Sequence, residues 1–209
     1  PPVVLPEPAI KPSSSLYWGA WIDPGTPEQP APINLDAIED FELNVAGKRP
    51  SILESYSAFF QCNDGSGGAC SREYAFPLAQ LEAIHQRGAI PLFTWAPESS
   101  SGQVTQTNFE LADLASGQWD EYVRQWAQAA KDWGHPFFLR FAWEMNGNWY
   151  PWGKAVNGNE EADYVAAWRH VHDIFASVGA SNATWVWCPF VGPRPTAGFY
   201  PGDGYVDWT

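Results

Sequence analysis

The chain has 209 residues, 45% of them hydrophobic, which gives enough apolar material for one packed domain and excludes disorder for its body. Asp and Glu outnumber Lys and Arg by 24 to 11, and a net charge of -13 is repelled by nucleic-acid phosphates and by anionic lipid. No apolar run approaches the roughly 18 residues needed to cross a bilayer, so neither nucleic acid nor membrane is expected as a partner.

Residues 1–15, rich in proline and serine, read as an extended linker or tail, and 16–209 as the folded part. Such linkers are common in exported proteins, so a secreted, extracellular protein is expected; a monomer is expected as well. Leu16–Ile22 is a compact apolar run with the look of a strand, and Leu35–Val45 has helical spacing behind Asn34. Ser51–Phe60 reads as a second strand. Cys62 and Cys70 bracket a Gly-rich loop, and in an exported protein a disulfide between them is favoured over two free thiols. Leu78, Leu81, Ile84 and His85 mark a helix stopped by Gly88, and Ala89–Trp95 a third strand. Trp119–Trp133 is an amphipathic helix ended by Gly134, Phe137–Trp143 a fourth strand, and Tyr164–Val178 a helix ended by Gly179. Thr184–Phe190 reads as a fifth strand and Tyr205–Trp208 as the opening of a sixth. Cys188 lies in an apolar run and is expected to be buried.

Strand–helix alternation implies a parallel sheet, either open and doubly wound or closed into an eightfold barrel. An open nucleotide-binding sheet carries a Gly-rich turn after its first strand, whereas here that strand runs into Asp23-Pro24-Gly25-Thr26-Pro27. The expected fold is therefore an α/β (β/α)8 TIM barrel of which five to six β/α units are present. A metal site is not expected, since His170 and His172 fall on different faces of one helix, and no cofactor is expected either.

The candidate chemistry sits at the end of the fourth strand, where reactive groups of such barrels project. Strand alternation puts Phe138, Arg140, Ala142 and Glu144 on one face and Phe137, Leu139, Phe141 and Trp143 on the other, so Arg140 and Glu144 are expected to point into the barrel mouth. Asn146, Gly147, Trp149, Tyr150 and Trp152 follow at once. A carboxylic acid beside an amide and aromatic rings supplies a proton donor, a hydroxyl anchor and a stacking floor for a sugar. The 13 Trp, 8 Tyr and 12 Phe point the same way, because a core needs few Trp and a flat apolar-faced ligand stacks on many. Trp187, near the end of the fifth strand, fits either the cleft or the core. Glu54 and Glu98 are expected at the rim or in solvent.

Glu144-Met145-Asn146-Gly147-Asn148-Trp149-Tyr150-Pro151-Trp152 resembles the signature of glycoside hydrolase family 26, whose β-mannanases are retaining enzymes on the eightfold barrel. The resemblance implies that Glu144 is the general acid/base, that Trp149 and Trp95 line the sugar-binding cleft with Trp143, Tyr150, Trp152 and Arg140 beside them, and that Asn146 bonds a sugar hydroxyl. It also implies that the attacking Glu stands on a seventh strand, outside this sequence, so the 209 residues alone are expected to be inactive. Mannan-cleaving members carry His where this chain has Trp143 and Ala96. Members acting on mixed-linkage glucan or xylan share the framework. The implied function is a retaining endo-β-glycanase of β-mannan type acting on polysaccharide or oligosaccharide, with a β-1,3-1,4-glucanase, a xylanase or a non-catalytic carbohydrate-binding barrel as alternatives.

Overall fold

The computed structural model describes residues 17–22, 33–62 and 70–209. The linker expected over 1–15 lies outside them, as do the side chains of Cys62 and Cys70, although these two residues face each other in strand register. The elements run β1 (Gly19–Ala20), α1 (Leu35–Asp40) continued by a π-helical stretch (Phe41–Ala46), β2 (Ile52–Cys62), β3 (Cys70–Glu73), α2 (Leu78–Gln86), β4 (Ile90–Ser99), α3 (Leu111–Ala115), α4 (Asp120–Trp133), β5 (Phe137–Phe141), α5 (Glu161–Val178) and β6 (Ala183–Trp185).

The strands lie in the order β1-β2-β4-β5-β6, each parallel to its neighbour, with β3 returning antiparallel along β2. A parallel bridge from Val186 to Trp208 starts the next pairing. Parallel neighbours joined through helices make a partial α/β barrel, as the alternation of patterns predicts.

The two long helices form where the sequence carries both an apolar stripe and end signals. α4 opens on Asp120 and Glu121, has Lys131 in its last turn, and stops at Gly134 in the left-handed conformation (φ 74°). α5 starts with a capping box in which Glu160 and Asp163 satisfy each other's backbone N–H groups. Their buried faces, including Tyr122, Trp126, Trp168 and Phe175, meet Phe93, Trp95, Phe137, Leu139 and Phe141 from β4 and β5 in one cluster. Trp126 stacks on Trp95 at 4.3 Å and donates its indole N–H to the Tyr74 carbonyl at 2.8 Å. Six of the Trp residues (95, 126, 152, 168, 185 and 187) are buried. The Trp-rich composition thus serves the helix–sheet core at least as much as a ligand surface.

Differences from expectation are local. The β3 hairpin arm is new, and it occupies sequence to which no element is assigned above. α3 is too short to show a helical period. The predicted fourth strand ends at Phe141 rather than Trp143, because Ala142 (φ 43°) and Glu144 (φ 52°) leave the extended region. The predicted fifth strand closes at Trp185, and the sixth is a single bridge among the described residues.

Candidate active site

Two layers of side chains rise on the face of the sheet opposite the helices. The lower layer joins three strands: Glu54 from β2 pairs with the Arg140 guanidinium from β5, Thr94 Oγ1 from β4 donates to Glu54 at 2.9 Å, and Arg140 Nε donates to Thr94 at 2.9 Å. Glu54 is therefore a partner inside the barrel face, and neither a rim nor a solvent residue. Arg140 points inward as its parity requires, with Nε committed to Thr94 and one terminal nitrogen to Glu54. Its guanidinium also lies 5.7 Å from the Trp143 ring centre.

The upper layer begins two residues further along β2. Tyr56, on the same face as Glu54, donates its hydroxyl to Glu98 at 2.6 Å and sets its ring edge on Trp143, with centroids 5.7 Å apart at 90°. Trp143 donates its indole N–H to the Tyr150 hydroxyl at 3.2 Å, and Tyr150 stacks on Trp152 at 4.6 Å. Strand parity assigned Trp143 to the helix side. The left-handed turn at Ala142 swings it instead into this aromatic wall. Trp152 is fully buried beneath the wall, bonded to the Trp143 carbonyl at 2.7 Å, and supports it without offering a surface.

Glu144 stands beside this wall. Its backbone N–H donates to the Cys188 carbonyl at 2.7 Å, tying the end of β5 to the segment after β6. Its carboxylate accepts the Trp149 indole N–H at 2.9 Å. Trp149 is half-buried, edge-on to Phe190 at 4.8 Å and under the Arg194 guanidinium at 5.2 Å. A non-glycine residue at φ 52° costs on the order of 1–3 kcal/mol and persists only where its surroundings hold it. Here those two hydrogen bonds do so, and the carboxylate is fixed in orientation.

Three expected ligands are placed differently. Trp95 is fully buried on the helix side between Phe59 and Trp126 and does not line the mouth, because alternation along β4 turns Thr94 inward and Trp95 outward. Asn146 is 2% exposed and spends its amide on the Phe190 backbone, accepting from N–H at 2.8 Å and donating to the carbonyl at 3.1 Å. It shapes the loop and, buried to this degree, presents little surface to a sugar. Trp187 is buried against Tyr200 at 5.2 Å, outside the ring cluster around Glu144. Trp149, Trp143 and Tyr150 are the expected ligands that do gather around Glu144. Cys188 is partly buried close to Arg140, Glu144 and Glu54, and burial pushes its thiol up.

Tyr56 and Phe190, for which the sequence carries no signal, also belong to this site, as does Glu98, expected at the rim or in solvent. Burial pushes its carboxyl up to about 7, opposed in part by the Tyr56 hydrogen bond. Tyr150 is also raised, first by burial and then by Glu144 and Glu98. The histidines are engaged elsewhere: His85 stacks on His135 at 3.9 Å, His170 meets Asp120 at 2.6 Å, and His172 is buried against Trp185. Among the described residues no three His, Cys, Asp or Glu side chains are arranged to hold a metal ion.

A parallel α/β barrel sheet with a carboxylate fixed among aromatic rings beyond the C-terminal end of a strand puts the candidate site where barrel enzymes carry their reactive groups. The sequence model described as "Glycosyl hydrolase family 26" matches residues 111–209. Endoglucanase H of Acetivibrio thermocellus is 32% identical over 203 residues, 94% of this chain and 19% of that protein. Beta-1,3-xylanase TXYA of a Vibrio species is 30% identical over 107 residues, 48% of this chain and 22% of that protein. Among solved structures, the β-mannanase from a symbiotic protist of the termite Reticulitermes speratus, complexed with gluco-manno-oligosaccharide, superimposes with a TM-score of 0.64 at 21% identity, covering 90% of this chain and 61% of that one. These similarities support assignment of the chain to glycosyl hydrolase family 26. The chain spans about a fifth of the two curated relatives and about three fifths of the solved barrel.

Proposed function

We propose that the chain is catalytic-domain sequence of a retaining endo-β-glycanase in which Glu144 is the acid/base. The observation that carries this reading is the Glu144 carboxylate, held in a left-handed backbone turn by the Trp149 indole at 2.9 Å beside the wall of Trp143 and Tyr150. In a retaining mechanism such a group protonates the leaving oxygen while a second carboxylate attacks the anomeric carbon, and it then takes a proton from water to release the sugar. Trp149 orients the carboxyl and offers a ring face, while Trp143 and Tyr150 form the adjoining wall. The attacking carboxylate is assigned to no described residue. Glu54 is committed to Arg140 and Thr94, and Glu98 to Tyr56. Secretion and a monomeric state, read from the sequence, belong to the same proposal.

For the substrate we place β-glucan ahead of mannan. Trp143 and the fully buried Ala96 stand where the resemblance gives mannan-cleaving members histidine, and the relative aligned along 94% of the chain is named an endoglucanase. Mannan is the second reading, favoured by the superposition on a β-mannanase. The test offers mixed-linkage β-glucan, β-mannan and β-1,3- and β-1,4-xylan in parallel, following both binding and the anomeric form of any product. Retention of configuration, with polysaccharide turnover abolished by Glu144→Ala, supports the reading. Inverted product, or turnover indifferent to Glu144→Ala, overturns it. Binding without turnover on every polymer, in protein that carries an attacking carboxylate as well as Glu144, favours a carbohydrate-binding barrel.

A further inference from the structure

Glu98 is the strongest group on the cleft side that the acid/base reading leaves unused. It stands at the end of β4, mostly buried, and Oε1 accepts the Tyr56 hydroxyl at 2.6 Å. Among the described residues Oε2 has no protein hydrogen-bond partner. Tyr56 rises from β2 on the same face as Glu54, and its ring edge meets Trp143, the residue next to Glu144. The charged and titratable groups around the pair are Tyr56 from β2, Arg140 from β5, and Glu144 and Tyr150 from the segment after β5. Tyr150 feels Glu98, Glu144 and Arg140 together, so all three border one space.

A carboxyl with one oxygen anchored and the other unpaired in a largely dehydrated wall needs a partner to offset its burial. Oε2 is not among the atoms sealed from solvent without a partner, so the partners on offer to it are water or ligand hydroxyls. We propose that Glu98 is a glycan-contacting residue of the cleft wall, its Oε2 taking a sugar hydroxyl while its Oε1 holds Tyr56 and, through Tyr56, the ring of Trp143. The inference rests on the glycanase reading and deepens it by giving the cleft a second polar determinant. A neutral carboxyl both donates and accepts, which matches a hydroxyl. A sugar lying over Glu98 also removes its remaining water and so disfavours the charged form. Binding then takes up a proton, and affinity falls as pH rises past neutrality.

The test is calorimetric titration of gluco- and manno-oligosaccharides onto the whole chain in the Glu144→Gln background, where nothing is cleaved, from pH 5.5 to 8.5. Glu98→Ala is expected to weaken the preferred oligosaccharide about tenfold at pH 6, the scale of one or two lost hydrogen bonds. Glu98→Gln, which keeps the size and both bonding roles, is expected to bind within about threefold of its parent at pH 6 and to lose the parent's decline above pH 7. Thermal unfolding of each variant separates lost folding from lost binding, and the Gln variant answers the question if the Ala variant fails to fold. A Glu98 that only braces the fold would change the unfolding midpoint while leaving the pH profile of affinity unmoved, and that result overturns the inference. If Trp149→Ala abolishes binding and the Glu98 variants bind like their parent, the inference falls and the glycanase reading stands. If the parent binds no oligosaccharide at any pH, the reading and the inference fall together.

Discussion

Gly147 lies where the chain doubles back beneath Trp149, and Gly147→Ala tests whether that ring is pinned. A Cβ on residue 147 would lie 2.5 Å from Trp149 Cζ2 and 2.6 Å from Cε2 and Cη2, far inside van der Waals contact. The backbone of Gly147 is not left-handed, so the penalty is purely one of space. The indole has little freedom to yield, since Phe190 stands 4.8 Å away on one side, Arg194 lies over it, and its N–H is bonded to Glu144 at 2.9 Å. A shift of about 1 Å relieves the clash and breaks that hydrogen bond. Overpacking of this kind costs about 1–3 kcal/mol, and the lost bond to a half-exposed carboxylate adds about 1 kcal/mol. Gly147→Ala should therefore destabilise the chain by roughly 2–4 kcal/mol, with an unchanged denaturant slope, and lower oligosaccharide affinity as the stacking face turns away. The decisive measurement is the double-mutant cycle. With Trp149→Ala the obstructing ring is gone, and Gly147→Ala should then be close to neutral, a coupling of about 2–3 kcal/mol. Equal costs in both backgrounds would show that the ring is not what requires glycine at 147.

Three further outcomes follow from the packing. Trp95→Ala should cost about 3–5 kcal/mol of stability, the scale of an aromatic removed from a closed core, and leave oligosaccharide affinity per folded molecule unchanged; a loss of affinity in fully folded protein would return Trp95 to the cleft. The Glu98 carboxyl ionises near 4.5 when unfolded and about 7 when folded. The unfolded chain therefore gives up this proton first, and the contribution to stability falls as pH climbs through that window, by an amount on the order of 2–3 kcal/mol. Glu98→Gln should flatten that part of the curve in urea titrations at pH 5 and pH 8, and an unchanged difference between the two would contradict the assignment. Asn146→Asp keeps the acceptor for the Phe190 N–H but faces the Phe190 carbonyl with a charge in place of a donor, so a loss of about 2 kcal/mol is expected from chemical denaturation.

The parts of the fold that follow from periodic patterns could be read directly. α4 and α5 carry apolar stripes, end signals and left-handed glycines, and their observed bounds lie within a few residues of those expected. The parallel order follows from the alternation itself. What escaped the sequence depends on residues far apart in the chain. Glu98 is half-buried and bonded to Tyr56, 42 residues earlier, and nothing in the local sequence of either announces the pair. Asn146 reads as a polar residue in a binding motif until Phe190, 44 residues later, claims both ends of its amide. For Trp95 the alternation was available, since Thr94 and Trp95 must face opposite sides of β4. There the resemblance pointed the wrong way and the physical rule was right.

The signature at Glu144–Trp152 was legible as a string before its physical reason was. The reason is a turn that closes on itself, in which each unusual residue answers a contact. Ala142 and Glu144 adopt left-handed backbone so that the chain leaves β5 and the Glu144 N–H can reach the Cys188 carbonyl. Gly147 lacks a side chain because Trp149 occupies its space, and Gly153 lacks one because a Cβ there would lie 2.6 Å from the Gly147 carbonyl oxygen. Trp152 ties back to the Trp143 carbonyl, and the Lys154 N–H reaches the carbonyls of both Met145 and Gly147. These closures, and not the strand, fix the Glu144 carboxyl. The strain of two left-handed non-glycine residues is sustained by these closing hydrogen bonds. It follows that substitutions inside the turn should damage the orientation of Glu144 even where they never approach a ligand, and that residues on β5 itself, such as Phe138, should affect stability first.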